Sequence, residues 1–294
     1  MITKNASLLK RIPSFLYKVS SQLFIDYKFP RHLFIETTAT CNLACSYCPR
    51  EKVKQDMNFG LFIKIIDEAS QYGARSFSLH LFGEPMLYKH WIEAITYIKR
   101  KNKRHTVLLT TNGTKINEYV GILTKLPIDK CLWTWRTEAK FTSKTKSLLK
   151  SWKPFTVRYI EGTYPESALE EKWPRVEKRR MHNYGATIDT SIYISQESSA
   201  KNVDSKASSI RWPCYHLFLA PAIAWNGKFL QCCADSHQKE VFGDINRETI
   251  SDCWKRLNGV RKAHLSGQFA GICANCDTWR EYPNLFFGHE YGSN

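Results

Sequence analysis

Three cysteines open the chemistry of this chain. Cys41, Cys45 and Cys48 stand at C-x3-C-x2-C spacing in Glu36-Thr-Thr-Ala-Thr-Cys41-Asn-Leu-Ala-Cys45-Ser-Tyr-Cys48-Pro-Arg. Thiolates are the usual protein ligands of iron–sulfur clusters. Three of them on a four-iron cube leave one iron without a protein ligand, just as a catalytic zinc keeps one position free. A zinc ion completed by a distant Cys or His, or plain thiols lining one helix face, are the alternatives. The Thr, Asn and Ser residues around the cysteines and Pro49 after them favour a loop over a helix.

A second group lies near the other end. Cys214 is followed after twelve residues by Gly227, then by Cys232, and later by Cys273 and Cys276 in Cys-Ala-Asn-Cys. Four thiolates suit either a closed zinc ribbon or a fully liganded four-iron cluster. Cys233 stands beside Cys232 and could compete with it. Cys131 lies in an apolar run and Cys253 in a helical one, so both read as packed thiols.

The chain around these cysteines has 294 residues, 43 Lys and Arg against 27 Asp and Glu, and a net charge of +16. A hydrophobic fraction of 43% rules out disorder for most of it. The positive excess suits an acidic partner. No stretch reaches the ~18 apolar residues of a membrane span. The basic start lacks the apolar core of a secretory signal, although a transit peptide stays open; a cytoplasmic setting is expected. Ten cysteines in a reducing compartment then point to metal ligation rather than disulfides.

Elements must position these groups. β-like runs fall at His32–Thr38, Arg75–Leu81, Thr106–Thr111, Lys130–Trp135, Phe155–Ile160 and Thr187–Ile194. Helical periodicity falls at Phe59–Gln71, Tyr88–Lys101, Ile116–Thr124, Ser143–Lys150 and Ser167–Arg179. Six such units predict an α/β fold, a partial (β/α)6 TIM-like barrel. Gln196–Ser209 reads as a linker. Beyond it, β-like runs at His216–Leu219, Ile223–Trp225 and Lys228–Gln231 and a helix near Ile250–Asn258 form a small cluster-binding α+β unit. The expected division is a basic helical extension over 1–30, the barrel over 31–200 and the cluster-binding domain over 205–294.

With these residues in order, the sequence resembles the radical S-adenosylmethionine (AdoMet) superfamily. Leu81-Phe82-Gly83-Glu84-Pro85 is similar to the family's Gly-Gly-Glu-Pro loop, which holds the methionine amino group; Phe82 replaces the first glycine. Thr110-Thr111-Asn112-Gly113 is a common family ending of the third strand, and Tyr47 matches the aromatic flanking adenine. Near the fourth strand's end Thr134 or Arg136 could meet the cofactor's ribose or carboxylate. The C-terminal cysteines resemble the SPASM/twitch module, and no cysteine follows Cys276, so the short form fits, with Cys214, Cys232, Cys273 and Cys276 as ligands. The resemblance implies two [4Fe–4S] clusters and AdoMet, reductively cleaved to a 5′-deoxyadenosyl radical that abstracts a substrate hydrogen. It also implies a flavodoxin or ferredoxin as electron donor.

The resemblance further implies a two-electron oxidation assisted by the second cluster. Asp235, beside that cluster, is the first candidate for the proton acceptor, with Arg158 and Glu161 at the fifth strand's end. Similar short-module members oxidise an aminocyclitol alcohol, whereas longer ones modify ribosomal peptides or mature sulfatases. The 30 residues ahead of the barrel are too few for a leader-binding domain, which favours a sugar or cyclitol over a peptide. From another class, a zinc-stabilised RNA-binding protein would account for the charge and the run Lys99-Arg100-Lys101-Asn102-Lys103-Arg104. That run ends a predicted helix, where cations complement the helix dipole, so nucleic acid is the weaker reading.

Overall fold

In a computed structural model, the described residues are 28–191, 193, 211 and 213–281. The basic extension before residue 28 and the linker at 196–209 lie outside them. Six parallel strands follow the chain: β1 (His32–Ile35), β2 (Ser76–Ser78), β3 (Thr106–Thr111), β4 (Lys130–Thr134), β5 (Phe155–Ile160) and β6 (Val176–Arg179). Helices α1 (Phe59–Gln71), α2 (Trp91–Lys101), α3 (Ile116–Leu123) and α4 (Ser143–Ser151) cross between the first five. This is a partial TIM-like barrel. Because its strands are parallel, the loops after them share one rim, where barrel active sites form.

The helices sit where their periodicity puts them. On α1, Phe62, Ile65, Ile66 and Ala69 are buried against the sheet, and the Asn58 side chain accepts from Gly60 N and Leu61 N to cap the first turn. Phe62, Ile65 and Ile66 each contribute roughly 1.5–3 kcal/mol by leaving water. On β3 and β5 the apolar residues Val107, Leu109, Val157 and Tyr159 are almost fully buried.

Three expectations are corrected. The segment Ser167–Arg179 is not a helix: a 3-10 turn spans Glu166–Leu169, and Val176–Arg179 forms β6, pairing with β5. Pro174 cannot donate in a helix interior, which ends the periodic stretch. The expected sixth strand at 187–194 is turn and irregular wherever it is described. His216–Leu219 is a helical turn, α5, in which Leu217 and Phe218 are buried.

The C-terminal segment continues the barrel sheet. Strand β7 (Ala222–Ile223) pairs parallel with β1, and β8 (Lys228–Leu230) and β9 (Val241–Asp244) add antiparallel, giving the order β6-β5-β4-β3-β2-β1-β7-β8-β9. Helices α6 (Ile250–Arg256) and α7 (Asn258–Leu265) follow. Cys131 and Cys253 are fully buried. At the end of α2, Lys99 meets Asp129 at 2.7 Å and Lys101 meets Asp67 at 2.8 Å, so part of the basic run is neutralised within the fold. No helix among the described residues is long and apolar enough to cross a membrane.

Candidate active site

A cavity of about 200 Å³ opens at the barrel rim. Cys41, Cys45 and Cys48, all from the loop after β1, lie on its wall. Arg50 holds that loop, donating to Leu43 O at 2.9 Å and to Cys41 O at 3.4 Å, and Cys48 N donates to Cys45 O at 3.0 Å. Burial, together with neighbouring negative charge, pushes the Cys41 and Cys48 thiols up. Thiols crowded in this way ionise together only beside a strongly positive centre, which is the donor chemistry of an iron cluster.

The loop after β2 is pressed against the cysteine loop. Glu84 N donates to Thr40 O at 2.8 Å. A Cβ on Gly83 would lie 1.9 Å from Thr38 O, so glycine is required for this approach. Glu84 is 2% exposed; its Oε1 accepts from the Thr111 hydroxyl at 2.7 Å and Met86 N at 3.2 Å, and its Oε2 from Asn112 N at 2.7 Å. Burial raises its pKa to about 7 despite these donors. Two carboxylate oxygens offer about four lone-pair sites, so one direction is left for a cation. Pro85 begins the 3-10 turn Pro85–Leu87 behind Glu84 and is not on the cavity wall.

Asn112 joins the strand ends to the cysteines, with its Nδ2 3.0 Å from Asn42 Oδ1 and 3.7 Å from Cys41 Sγ. Tyr47 is 9% exposed, and the Arg136 guanidinium lies 5.0 Å above its ring. Burial pushes the Tyr47 phenol up. Thr134 and Arg136 both line the cavity. Trp133 instead packs among Phe141, Phe155 and Trp173 in the core and donates to Asn112 O at 3.2 Å.

Among the described residues, the buried wall atoms His80 Nδ1, Thr110 Oγ1 and Arg136 Nε find no hydrogen-bond partner. Buried polar groups are normally satisfied, so a polar ligand suits this wall. Burial, followed by the charges of Arg158, His32 and Arg179, lowers the His80 pKa to about 3, so its ring is neutral.

Of the three candidates for the proton acceptor, Arg158 alone lies on the cavity wall. The structure puts Asp235 elsewhere: it is 3% exposed, off the wall, and its oxygens accept from Lys239 N at 2.9 Å and Glu240 N at 2.7 Å. Those bonds close the turn after Cys232-Cys233. Glu161 follows β5 and also lies off the wall. The sequence reading gave no role to Glu36, Arg50, His80, Arg179 or His216, and it weighed Cys233 only as a competing cluster ligand. Glu36 is 5% exposed and bridges the halves, its Oε1 accepting from Phe82 N at 3.4 Å and its Oε2 from Trp225 N at 3.3 Å.

The C-terminal thiols form a second group. Burial pushes Cys273 up to about 12 and drives Cys214 and Cys232 upward, and neighbouring thiols add to this: Cys276 and Cys273 at Cys214, Cys233, Cys273 and Cys214 at Cys232, and Cys276 at Cys273. Gln231 Nε2 donates to Cys273 Sγ at 3.4 Å, and Arg211 Nη1 donates to Ala274 O at 2.7 Å. Asn183 N donates to Asp277 Oδ1 at 2.9 Å, and Asp277 N to Asn183 Oδ1 at 3.1 Å, tying the cysteine pair to the chain after β6. The adjacent cysteines diverge: Cys233 is on the barrel cavity's wall, 3.8 Å from His216 Nδ1. Among the described residues no three His, Cys, Asp or Glu side chains gather tightly enough for a single metal ion, whereas a polynuclear cluster needs a wider cage.

Comparison with known proteins adds to this geometry. Residues 35–130 match the Radical SAM superfamily model, and residues 214–277 match SPASM, an iron-sulfur cluster-binding domain. The chain is similar to the S-adenosyl-L-methionine-dependent 2-deoxy-scyllo-inosamine dehydrogenase of Niallia circulans, 24% identical over 254 residues, which is 83% of this chain and 91% of that protein. Over 104 residues it is 28% identical to the tungsten-containing aldehyde ferredoxin oxidoreductase cofactor-modifying protein of Pyrococcus furiosus, covering 34% of this chain and 29% of that one. In fold it resembles BtrN in complex with AdoMet and 2-DOIA, with a TM-score of 0.61, 23% identity and coverage of 85% and 94%. It also resembles Streptococcus suis SuiB bound to its precursor peptide SuiA, with a TM-score of 0.59, 16% identity and coverage of 89% and 73%.

Proposed function

The chain belongs to the radical SAM superfamily, with a SPASM iron–sulfur domain, and on that premise we propose that it oxidises a secondary alcohol of a small polyhydroxylated molecule, a sugar or cyclitol. The observation that carries this is a single cavity walled at once by Cys41, Cys45 and Cys48 and by Cys233, the neighbour of Cys232. A substrate there sits between two redox-capable thiol groups. Similarity to the Niallia circulans dehydrogenase along 91% of that protein supports the reaction class.

Cys41, Cys45 and Cys48 would hold one [4Fe–4S] cluster, and Cys214, Cys232, Cys273 and Cys276 the other. When bound, the first cluster with AdoMet supplies one-electron chemistry able to remove a hydrogen atom from an unactivated carbon, and the second supplies an electron acceptor. Glu84 would take the AdoMet ammonium, with Thr111 and Asn112 fixing the carboxylate's direction. Tyr47 offers a ring face for the adenine, and Thr134 and Arg136 offer donors for ribose and carboxylate. Oxidising an alcohol also releases a proton. His216, on the cavity wall with its Nδ1 3.8 Å from Cys233, is placed to accept it. An acidic flavodoxin or ferredoxin suits the basic surface as electron donor; a reduction rate indifferent to salt would exclude docking by charge.

The test is anaerobic purification followed by incubation with AdoMet, a reductant and a panel of cyclitols, sugars and peptides. About eight irons per chain, 5′-deoxyadenosine, and a ketone from a cyclitol or sugar are expected. Turnover of peptides alone would replace this substrate class with the peptide-modifying one. A colourless zinc protein would remove the enzyme reading.

A further inference from the structure

Three arginines line the cavity, and they come from neighbouring parallel strands. Arg136 follows β4, Arg158 is on β5 and Arg179 ends β6. Against them, among the described residues, the wall carries a single carboxylate, Glu84. Barrel interiors are usually filled with apolar side chains, so this concentration of charge needs a reason.

Arg158 is the most telling. Its side chain is only 13% exposed, and its Nε donates to Glu177 Oε1 at 2.9 Å across the β5–β6 pairing. Its two Nη atoms make no hydrogen bond among the described residues. One edge of the guanidinium is therefore fixed by protein while the other is available to a ligand, which is how a fork-like anion receptor is held in place. Arg179 Nε is likewise oriented, donating to His182 Nε2 at 3.2 Å. In the β5–β6 register Arg158 pairs with Glu177 and Ile160 with Arg179, so the two arginines are diagonal neighbours on one face of the sheet, and both line the cavity. Arg136 is stacked over Tyr47, the ring assigned above to the cofactor, and is left to AdoMet.

We propose that Arg158 and Arg179 form a subsite for an anionic group, so that the substrate is a polyhydroxylated molecule carrying a carboxylate or a phosphate. This rests on the oxidoreductase reading and narrows its substrate class. An amine-bearing cyclitol would meet two guanidiniums and be repelled. An anion accepts N–H bonds from the open edge of the Arg158 fork, with the Arg179 charge beside it, which fixes the ring against the reacting site.

The test uses anaerobic holoenzyme with AdoMet and three probes: glucose, glucuronate and glucose 6-phosphate. Binding is followed by calorimetry at fixed ionic strength. At least one charged probe is expected to bind about ten-fold or more tightly than glucose, and comparison of the two separates carboxylate from phosphate. Arg158→Gln should erase most of that preference, and Arg158→Lys should restore part of it. Glu177→Gln should strengthen anion binding, a gain that damaged folding would not produce. Equal binding of the three probes, no detectable binding of either anion, or a preference unchanged in Arg158→Gln overturns the subsite. So does an Arg158→Gln effect confined to AdoMet affinity, which would assign the arginine to the cofactor. Iron content and 5′-deoxyadenosine formation are recorded in parallel. Their absence defeats the oxidoreductase reading, whereas their presence with equal probe binding defeats the anion subsite alone.

Discussion

The Thr111 hydroxyl donates to Glu84 Oε1 at 2.7 Å, and both side chains are buried. This bond joins the end of β3 to the loop after β2 and sets the direction in which the carboxylate can face a cation. The same hydroxyl accepts from Gly113 N at 3.0 Å, so the turn after β3 shares the network. Thr111→Val keeps the shape and removes both bonds. A hydrogen bond to a charged group contributes about 1.5–3 kcal/mol, so AdoMet affinity should fall at least about ten-fold. Its dissociation constant under anaerobic conditions measures this, and an unchanged value would release Glu84 from the cofactor role.

Gly83 tests how closely the two rim loops must approach. Its missing side chain admits Thr38 O, a backbone atom of the segment leading to Cys41. An alanine there must push one loop away, and overpacking of this kind costs about 1–3 kcal/mol. Gly83→Ala is expected to lower the melting temperature and to reduce 5′-deoxyadenosine formation more than it reduces iron content. Wild-type activity in that variant would mean that the approach is loose.

The parts of the molecule legible in the sequence are those carried by local pattern. β3 and β5 were bounded correctly because apolar residues such as Val107, Leu109 and Phe155 mark them. β6 was missed because Val-Glu-Lys-Arg is an edge strand with no apolar face, and its fourfold alternation of exposed and half-buried positions carries no hydrophobic signal. Pro174 was the clue available. At the site, cysteine spacing and the Gly-Glu-Pro loop are contiguous motifs. Arg179, His216 and Cys233 reach the same cavity from distant segments, and nothing in their immediate sequence announces it. Glu36 was the exception, a carboxylate at the end of an apolar strand, where an unpaired charge would be costly.

Glu36 supplies a prediction about pH. Burial raises its pKa from 4.5 to about 7, so between these values the native protein holds a proton that the unfolded chain has lost. Stability from this group is complete below about pH 4.5 and declines as pH rises through 7. The full change is roughly 3 kcal/mol. In Glu36→Gln, which does not titrate, the fall in stability between pH 5 and pH 8 should be smaller than in the wild type. Urea midpoints at the two pH values measure it, and parallel slopes would mean that the native carboxylate is already ionised at pH 5.

If His216 accepts the proton, its replacement separates proton removal from the earlier steps. The ring lies on the cavity wall beside Cys233. His216→Gln keeps a polar side chain of similar reach without a titrating ring. Product formation should drop by about 100-fold while 5′-deoxyadenosine still accumulates. Equal losses in both would assign the residue to an earlier step.

Cys232 and Cys233 are neighbours in sequence with opposite surroundings, and this contrast allows a clean test. Cys232 is pushed up by burial and by the charges of Cys233, Cys273 and Cys214, as expected of a thiol facing a bound cluster. Cys233 lines the barrel cavity and meets His216 Nδ1 at 3.8 Å. If Cys232 is the ligand, Cys232→Ala should reduce iron from about eight to about four per chain. The first cluster, held by residues far away in sequence, should still support AdoMet cleavage. Cys233→Ala should keep all its iron and show a changed KM for the substrate, because the thiol borders the space the substrate fills. The reverse pattern, with iron lost on removing Cys233, would transfer the ligand role to it and place Cys232 among the packed thiols.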